Sequence, residues 1–214
     1  LDIGTLRAQI ACGERTGGNR MRDPSATPSS YFEQAWAHSA DPWDHAGRWY
    51  EARKYDLTTA ALPNERYLHA VEPACGVGLL TMRLAARADR VSASDRYRRA
   101  VDVTAARCRA LGNVDVRVAD VRDGPASDAI LDVDLVVLGE VLYYFPPETL
   151  GALVSAWHAR CSRGGHLVLV HYRPVVDQHV LTGDDVHEIV RATLGTPAVA
   201  CTDPQFLIDV YDAG

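Results

Sequence analysis

The segment VDLVVL at residues 133–138 is nearly all apolar, and so is LVLV at 167–170. A strand that shows water neither face has to lie inside a sheet covered on both sides. A short apolar strand at 67–71 and further strands at 90–94 and 114–118 are expected as well, and stretches of helical length separate them. Helices are expected at 76–86, 99–111 (ending at Gly112), 147–159 (with Pro147 first) and from the capping pair Thr182/Asp185 to 193. Strands alternating with helices specify a parallel, doubly wound α/β sheet. Two final strands, 198–201 and 205–211, are joined only by Thr202-Asp203-Pro204. So tight a link reverses direction, which predicts seven strands, mostly parallel, with an antiparallel strand at the C-terminal end.

Two helices precede this core. Tyr31, Phe32 and Trp36 share one side of the first, and Asp41-Pro42 breaks it. The second is expected from about Asp44 to Leu62, stopped by Pro63. Residues 13–30 (GERTGGNRMRDPSATPSS) hold almost no large apolar side chains, so 1–30 reads as a flexible lead-in or linker. Residues 31–214 then form one domain with a helical cap over 31–62. The chain opens on Leu1, so it is expected to derive from a longer polypeptide or a pathway complex.

Composition narrows the partners. With 22 Lys+Arg against 28 Asp+Glu the net charge is -6, which disfavours phosphate backbones, and no nucleic acid is expected. No apolar run has membrane-spanning length, so no membrane partner is expected. The five cysteines (12, 75, 108, 161 and 201) form no CxxC pair, which fits a reducing cytoplasm. The histidines show no HExxH or clustered spacing, so no metal site is expected; Asp184, Asp185 and Glu188 around His187 read as a solvated helix start.

In such a sheet, ligands bind beyond the C-terminal strand ends. The first end reads Glu72-Pro73-Ala74-Cys75-Gly76-Val77-Gly78, where Gly76 and Gly78 permit a sharp turn and a close approach. Asp95 ends the second strand and suits a ribose diol; Asp120 follows the third and suits an adenine amino group. A nicotinamide dinucleotide calls for GxGxxG, but the last glycine's place holds Thr81, which weighs against an NAD(P)-dependent oxidoreductase. S-adenosylmethionine has no pyrophosphate. It needs an acid before the turn, a short glycine turn, and acids for the ribose and adenine; Glu72, Gly76, Gly78, Asp95 and Asp120 supply these in order. Arg96 and Val121, each next to one of those aspartates, and Ala74 and Gly139 at strand ends complete the expected cofactor set. Trp43, Trp49 and Tyr55 precede the first strand and are expected to fold over the cofactor as a lid.

The segments SADPWDHAGRWYEARKY (39–55), VEPACGVGLLT (71–81), DLVVLGEVLYYF (134–145) and LVHYRP (169–174) carry a resemblance. From about Tyr31 to Tyr211 the chain resembles a class I S-adenosylmethionine-dependent methyltransferase. Within that superfamily it is similar to the nodulation N-methyltransferases, which act on the free amine of a deacetylated chitooligosaccharide. The glycine turn marks only the superfamily; DPWD with WYEARKY and GEVLYY is more specific. Ala74 stands where the first turn glycine is expected, which requires its φ to stay negative. Gly139 replaces the family's usual serine.

The resemblance implies methyl transfer to a small-molecule acceptor, an amine on an amino sugar or related metabolite, leaving S-adenosylhomocysteine. An O-methyltransferase and a non-catalytic cofactor-binding module are the alternatives. The candidate catalytic residues lie after the fourth and fifth strands. Glu140 could orient or deprotonate an amine, Tyr143 and Tyr144 could line the acceptor cavity, and His171 has the pKa range of a base.

Overall fold

The structure is a computed structural model that describes residues 27–124 and 133–214; residues 1–26 of the expected lead-in lie outside the described residues. The elements run α1 (Ser29–His38), α2 (Trp49–Ala60), β1 (Tyr67–Pro73), α3 (Leu79–Ala85), β2 (Ala88–Asp95), α4 (Arg98–Cys108), β3 (Val114–Val118), β4 (Leu135–Gly139), α5 (Pro147–His158), β5 (His166–Tyr172), α6 (Gly183–Leu194), β6 (Val199–Thr202) and β7 (Phe206–Asp212). Single 3-10 turns follow β3 (Val121–Asp123) and β4 (Leu142–Tyr144).

The strand order is β3-β2-β1-β4-β5-β7-β6. Strands β1 to β5 pair in parallel. Strand β7 runs antiparallel to both neighbours, β5 and β6. This is the seven-stranded mixed sheet predicted from the alternation. The order reverses between β1 and β4, the crevice where doubly wound sheets take ligands.

Both faces of the sheet are covered. Val136 and Leu138 of β4 pack with Leu150, Val154 and Trp157 of α5 and Val186 and Val190 of α6. Leu135 and Val137 point the other way, toward Leu80 and Leu84 of α3 and Tyr55 of α2. Successive side chains of a strand face opposite ways, so an almost wholly apolar β4 is what two such layers require. Each of these side chains contributes on the order of 1.5–3 kcal/mol through burial.

Some boundaries differ from the sequence reading, each for a local reason. Helix α2 starts at Trp49, not near Asp44. Asp44 adopts φ 56°, and the Asp41 carboxylate accepts from His45 N at 2.9 Å and Ala46 N at 2.8 Å, closing a turn that helix cannot continue. Helix α3 begins at Leu79 because Gly76 and Gly78 have φ of 56° and 76°. Helix α1 begins at Ser29, two residues before Tyr31. At α6, Thr182 and Asp185 do cap each other reciprocally. His187 does not belong to a solvated helix start, however: it is 1% exposed, because its turn of α6 packs against the sheet. Among the described residues, no helix is long and apolar enough to cross a membrane, and no three potential ligands cluster as a metal site.

Candidate functional site

A cavity of about 650 Å³ opens over the C-terminal ends of β1, β2 and β4, roofed by α1 and the loop leading to α2. Glu72, Ala74, Gly76, Asp95, Arg96, Asp120, Val121, Gly139, Glu140, Tyr143 and Tyr144 all line it, although they come from four strand ends.

The turn after β1 is braced before any ligand arrives. Asp95, the last residue of β2, accepts from Gly76 N at 3.1 Å and from Tyr97 N at 2.9 Å. The Thr104 hydroxyl donates to Gly76 O at 2.9 Å. The two glycines are needed for different reasons. A side chain on Gly76 would meet no atom within 4 Å, so its α-carbon faces the open cavity. One on Gly78 would come within 2.8 Å of Thr104, so this glycine lets α4 pack close. Ala74 departs from expectation: its φ is 59°, not negative. An L residue in that region costs roughly 1–2 kcal/mol, and the bonds that hold the turn keep it there.

The acids differ in charge state. Glu72 is 4% exposed, and its Oε2 accepts from the Thr81 hydroxyl at 2.5 Å. Burial pushes its pKa up to about 8 against that hydrogen bond, with Asp95 adding repulsion. Thr81, the residue that argued against a dinucleotide, therefore serves as Glu72's donor. Burial also lifts Asp95, to about 6, in spite of its backbone donors. Asp120 goes the other way. Arg122 donates to Asp120 Oδ1 through N and Nε and to Oδ2 through Nη2, at 2.7–3.0 Å, and holds the carboxyl below its usual range. Asp120 thus meets the cavity with Oδ1 already accepting twice and Oδ2 once, a restraint the sequence did not reveal.

At the other end stands Glu140, the first residue past β4, with φ 55°. Its Oε1 accepts from Lys54 Nζ at 2.6 Å; its Oε2 accepts from Tyr172 N at 3.1 Å and from the Tyr143 hydroxyl. Burial opposes ionisation here, but Lys54, with the Tyr143 and Tyr172 hydrogen bonds, outweighs it and keeps the carboxyl below its usual range. Lys54, on α2, is 1% exposed. Glu51 Oε2 lies 2.7 Å from the same ammonium, and the rings of Tyr50 and Tyr55 stand 4.9 and 4.8 Å from it. Sequence reasoning placed Lys54 beside the aromatic residues of this helix but gave it no role in the site. The available signal was its place three residues after Glu51 and one before Tyr55, on the face α2 turns inward.

Aromatic side chains make the remaining wall. Tyr143 stacks on His179 with centroids 3.7 Å apart, and Phe32 meets Tyr144 edge-on at 4.8 Å. Trp43 and Tyr55 line the cavity, and Trp43 donates from its indole to the Tyr31 hydroxyl at 3.3 Å. Three residues of the expected set do not reach the cavity: Gly78, which instead faces Thr104 of α4, Trp49 and His171. Trp49 begins α2 on its outer side and is 77% exposed. His171 is fully buried behind the 142–144 turn, its Nε2 accepting from Leu142 N at 3.3 Å. Burial, aided by His187 and Lys54, drives its pKa well below the usual histidine range. It has neither the access nor the basicity that a catalytic base needs.

Residues 70–165 match the methyltransferase domain family model. A solved candidate methyltransferase from Pseudomonas syringae is 31% identical, with a TM-score of 0.65 over 77% of this chain and 99% of that one. The chain belongs to the class I S-adenosylmethionine-dependent methyltransferases. Nodulation protein S of Sinorhizobium fredii is 30% identical to the methyltransferase over 132 residues, 60% of this chain and 59% of that relative's length. The N-methyltransferase NodS of Bradyrhizobium japonicum WM9, solved with S-adenosylhomocysteine, has the same fold, with a TM-score of 0.72 at 21% identity over 86% of this chain and 97% of that one. The cofactor of the methyltransferase is S-adenosylmethionine, and a cavity of this size, open at Gly76, has room for it.

Proposed function

We propose that the methyltransferase N-methylates a primary amine on a small acceptor of the amino-sugar or related metabolite class. The observation that carries this reading is the ionised Glu140, held by Lys54 and Tyr143 at the cavity wall next to the aromatic rings. The N-methyltransferase named among the structural relatives supports the choice of nitrogen over oxygen.

In this reading Asp95 accepts from the ribose diol, the Gly76 turn receives the chain that links ribose to methionine, and Asp120 with Val121 receives the adenine. Glu72 sits below the amino-acid end. Trp43 and Tyr55 cover the ligand. When bound, the cofactor supplies an electrophilic methyl group on a sulfonium for in-line displacement.

The chain's own residues then have two tasks. One is alignment, which can lower a barrier by several kcal/mol when the reacting atoms meet in near-attack geometry. The other is charge. A neutral amine becomes cationic as it takes the methyl, and its extra proton leaves to solvent afterwards. Glu140, with a depressed pKa, is a weak proton acceptor but a lasting anion. It accepts a hydrogen bond from the amine and stabilises the positive charge that develops there. Tyr143 and Tyr144 line the cavity wall beside it.

Incubation with deuteromethyl-labelled S-adenosylmethionine and matched sets of primary amines, alcohols and carboxylic acids tests the proposal. The amine set includes glucosamine and de-N-acetylated chitooligosaccharides. Label on nitrogen is the expected result; label confined to oxygen replaces this reading with O-methylation, and no transfer to any set replaces it with a cofactor-binding module.

A further inference from the structure

Behind the segment that carries Glu140 and Tyr143 stands a file of buried polar groups that methyl transfer does not use. His171 on β5 and Asp209 on β7 are fully buried, and His187 on α6 is 1% exposed. Leu142 N lies 3.3 Å from His171 Nε2, His171 Nδ1 lies 3.2 Å from His187 Nε2, and His187 Nδ1 lies 2.9 Å from Asp209 Oδ2. Arg191 closes the far end, donating to the two Asp209 oxygens at 2.8 and 2.7 Å.

The protons in this file have only one consistent arrangement. A backbone N–H can only donate, so His171 Nε2 is bare and the proton of the neutral ring sits on Nδ1. That proton goes to His187 Nε2, which is therefore bare as well. The His187 proton then sits on Nδ1 and goes to Asp209, a carboxylate that can only accept. Turning either ring over would oppose two N–H groups or leave a bare nitrogen against the carboxylate. In a buried site such mispairing is costly.

We infer that His171, His187 and Asp209 form a one-directional positioning relay that fixes the segment from Glu140 to Tyr144 in the conformation the acceptor requires. The inference rests on the proposed function, which assigns Glu140 and Tyr143 to the acceptor. None of the three relay residues lines the cavity; they act through the Leu142 amide. Arg191, with 42% of its side chain exposed, anchors the relay at the surface.

Two nucleosides read the two ends of the cavity separately. S-adenosylhomocysteine has nothing beyond its sulfur. Sinefungin carries a primary ammonium where the methyl sulfonium would be, and so also reads Glu140. His187→Leu leaves the His171 proton without an acceptor. It is expected to weaken sinefungin about tenfold relative to S-adenosylhomocysteine, whose own affinity stays within about twofold. His187→Gln can still accept and donate, and it is expected to restore the ratio. An unchanged ratio in His187→Leu, or an equal fall in His187→Gln, overturns the relay.

Nitrogen-15 spectra of the histidine-labelled wild-type protein at pH 7 give a second measure, which also decides if His187→Leu does not fold. Both rings are expected to be neutral and protonated on Nδ1; a proton on Nε2 of either ring overturns the relay. If the wild type binds neither nucleoside, the functional reading falls, and the ring tautomers still decide the relay.

Discussion

Lys54 Nζ stands 2.6 Å from Glu140 Oε1, joining residues 86 positions apart, with 1% of the lysine side chain exposed. The contact pins α2 to the end of β4. Removing one partner of a buried ion pair leaves an uncompensated charge, which costs about 3–5 kcal/mol. Lys54→Met is therefore expected to lower the melting temperature by roughly 6–20 °C for a domain of this size. Adding Glu140→Gln should recover part of that loss. Calorimetry of the single and double variants checks this; additive losses would mean that the two side chains do not couple.

Asp95 braces Gly76 and lines the cavity, where the proposed function gives it the ribose. Asp95→Ala is expected to weaken S-adenosylhomocysteine at least about tenfold, since a charged hydrogen bond is worth about 1.5–3 kcal/mol. Isothermal titration measures it. An unchanged affinity would move the ribose elsewhere.

Glu72 gives a dependence of stability on pH. Its folded pKa is raised to about 8 from an ordinary 4.5, so the folded protein holds this proton more tightly than the unfolded chain does. The resulting stabilisation is complete below about 4.5 and is lost as pH rises through 8, at roughly 1.4 kcal/mol per unit in between. Ligand-free wild type should lose stability over that window relative to Glu72→Gln in urea titrations. Parallel profiles would remove Glu72 as the cause.

Trp43 lines the cavity, whereas Trp49 is 77% exposed. Tryptophan fluorescence should quench on adding S-adenosylhomocysteine to the wild type and to Trp49→Phe. Trp43→Phe should lose most of that change. The reverse pattern would put the lid on the other indole.

Ala74 holds φ at 59°. Glycine has no Cβ penalty there, so Ala74→Gly is expected to raise stability by about 0.5–1 kcal/mol, the strain relieved less the extra entropy of the unfolded chain. A lower midpoint in chemical denaturation would contradict the strain.

The fold was legible because its cause is repetitive. Strands buried on both faces read as apolar runs, and a three-residue link between the last two strands forces a reversal; both are local in sequence. The convergence of Gly76, Asp95 and Asp120 on one cavity was legible for a similar reason, since a turn fixes the first and strand ends fix the other two. The acceptor end depends on contacts distant in sequence. Nothing near Lys54 says that it will meet Glu140, and a helix reading alone cannot tell Trp49, turned outward, from Trp43. His171 looked like a base because strand ends carry chemistry; what excluded it was burial behind its own neighbours. Ala74 shows a further limit, because a side chain's identity does not reveal the backbone angle that its neighbours impose.

Strand β7 lies between β5 and β6, yet it follows both of them in the chain. Until residues 206–212 emerge, β5 presents a bare edge to any other nascent strand, and His187 has no aspartate to receive its proton. The half of the sheet around β5 thus closes only once residues 206–212 are made, while β1, β2 and β3 can pair many residues earlier.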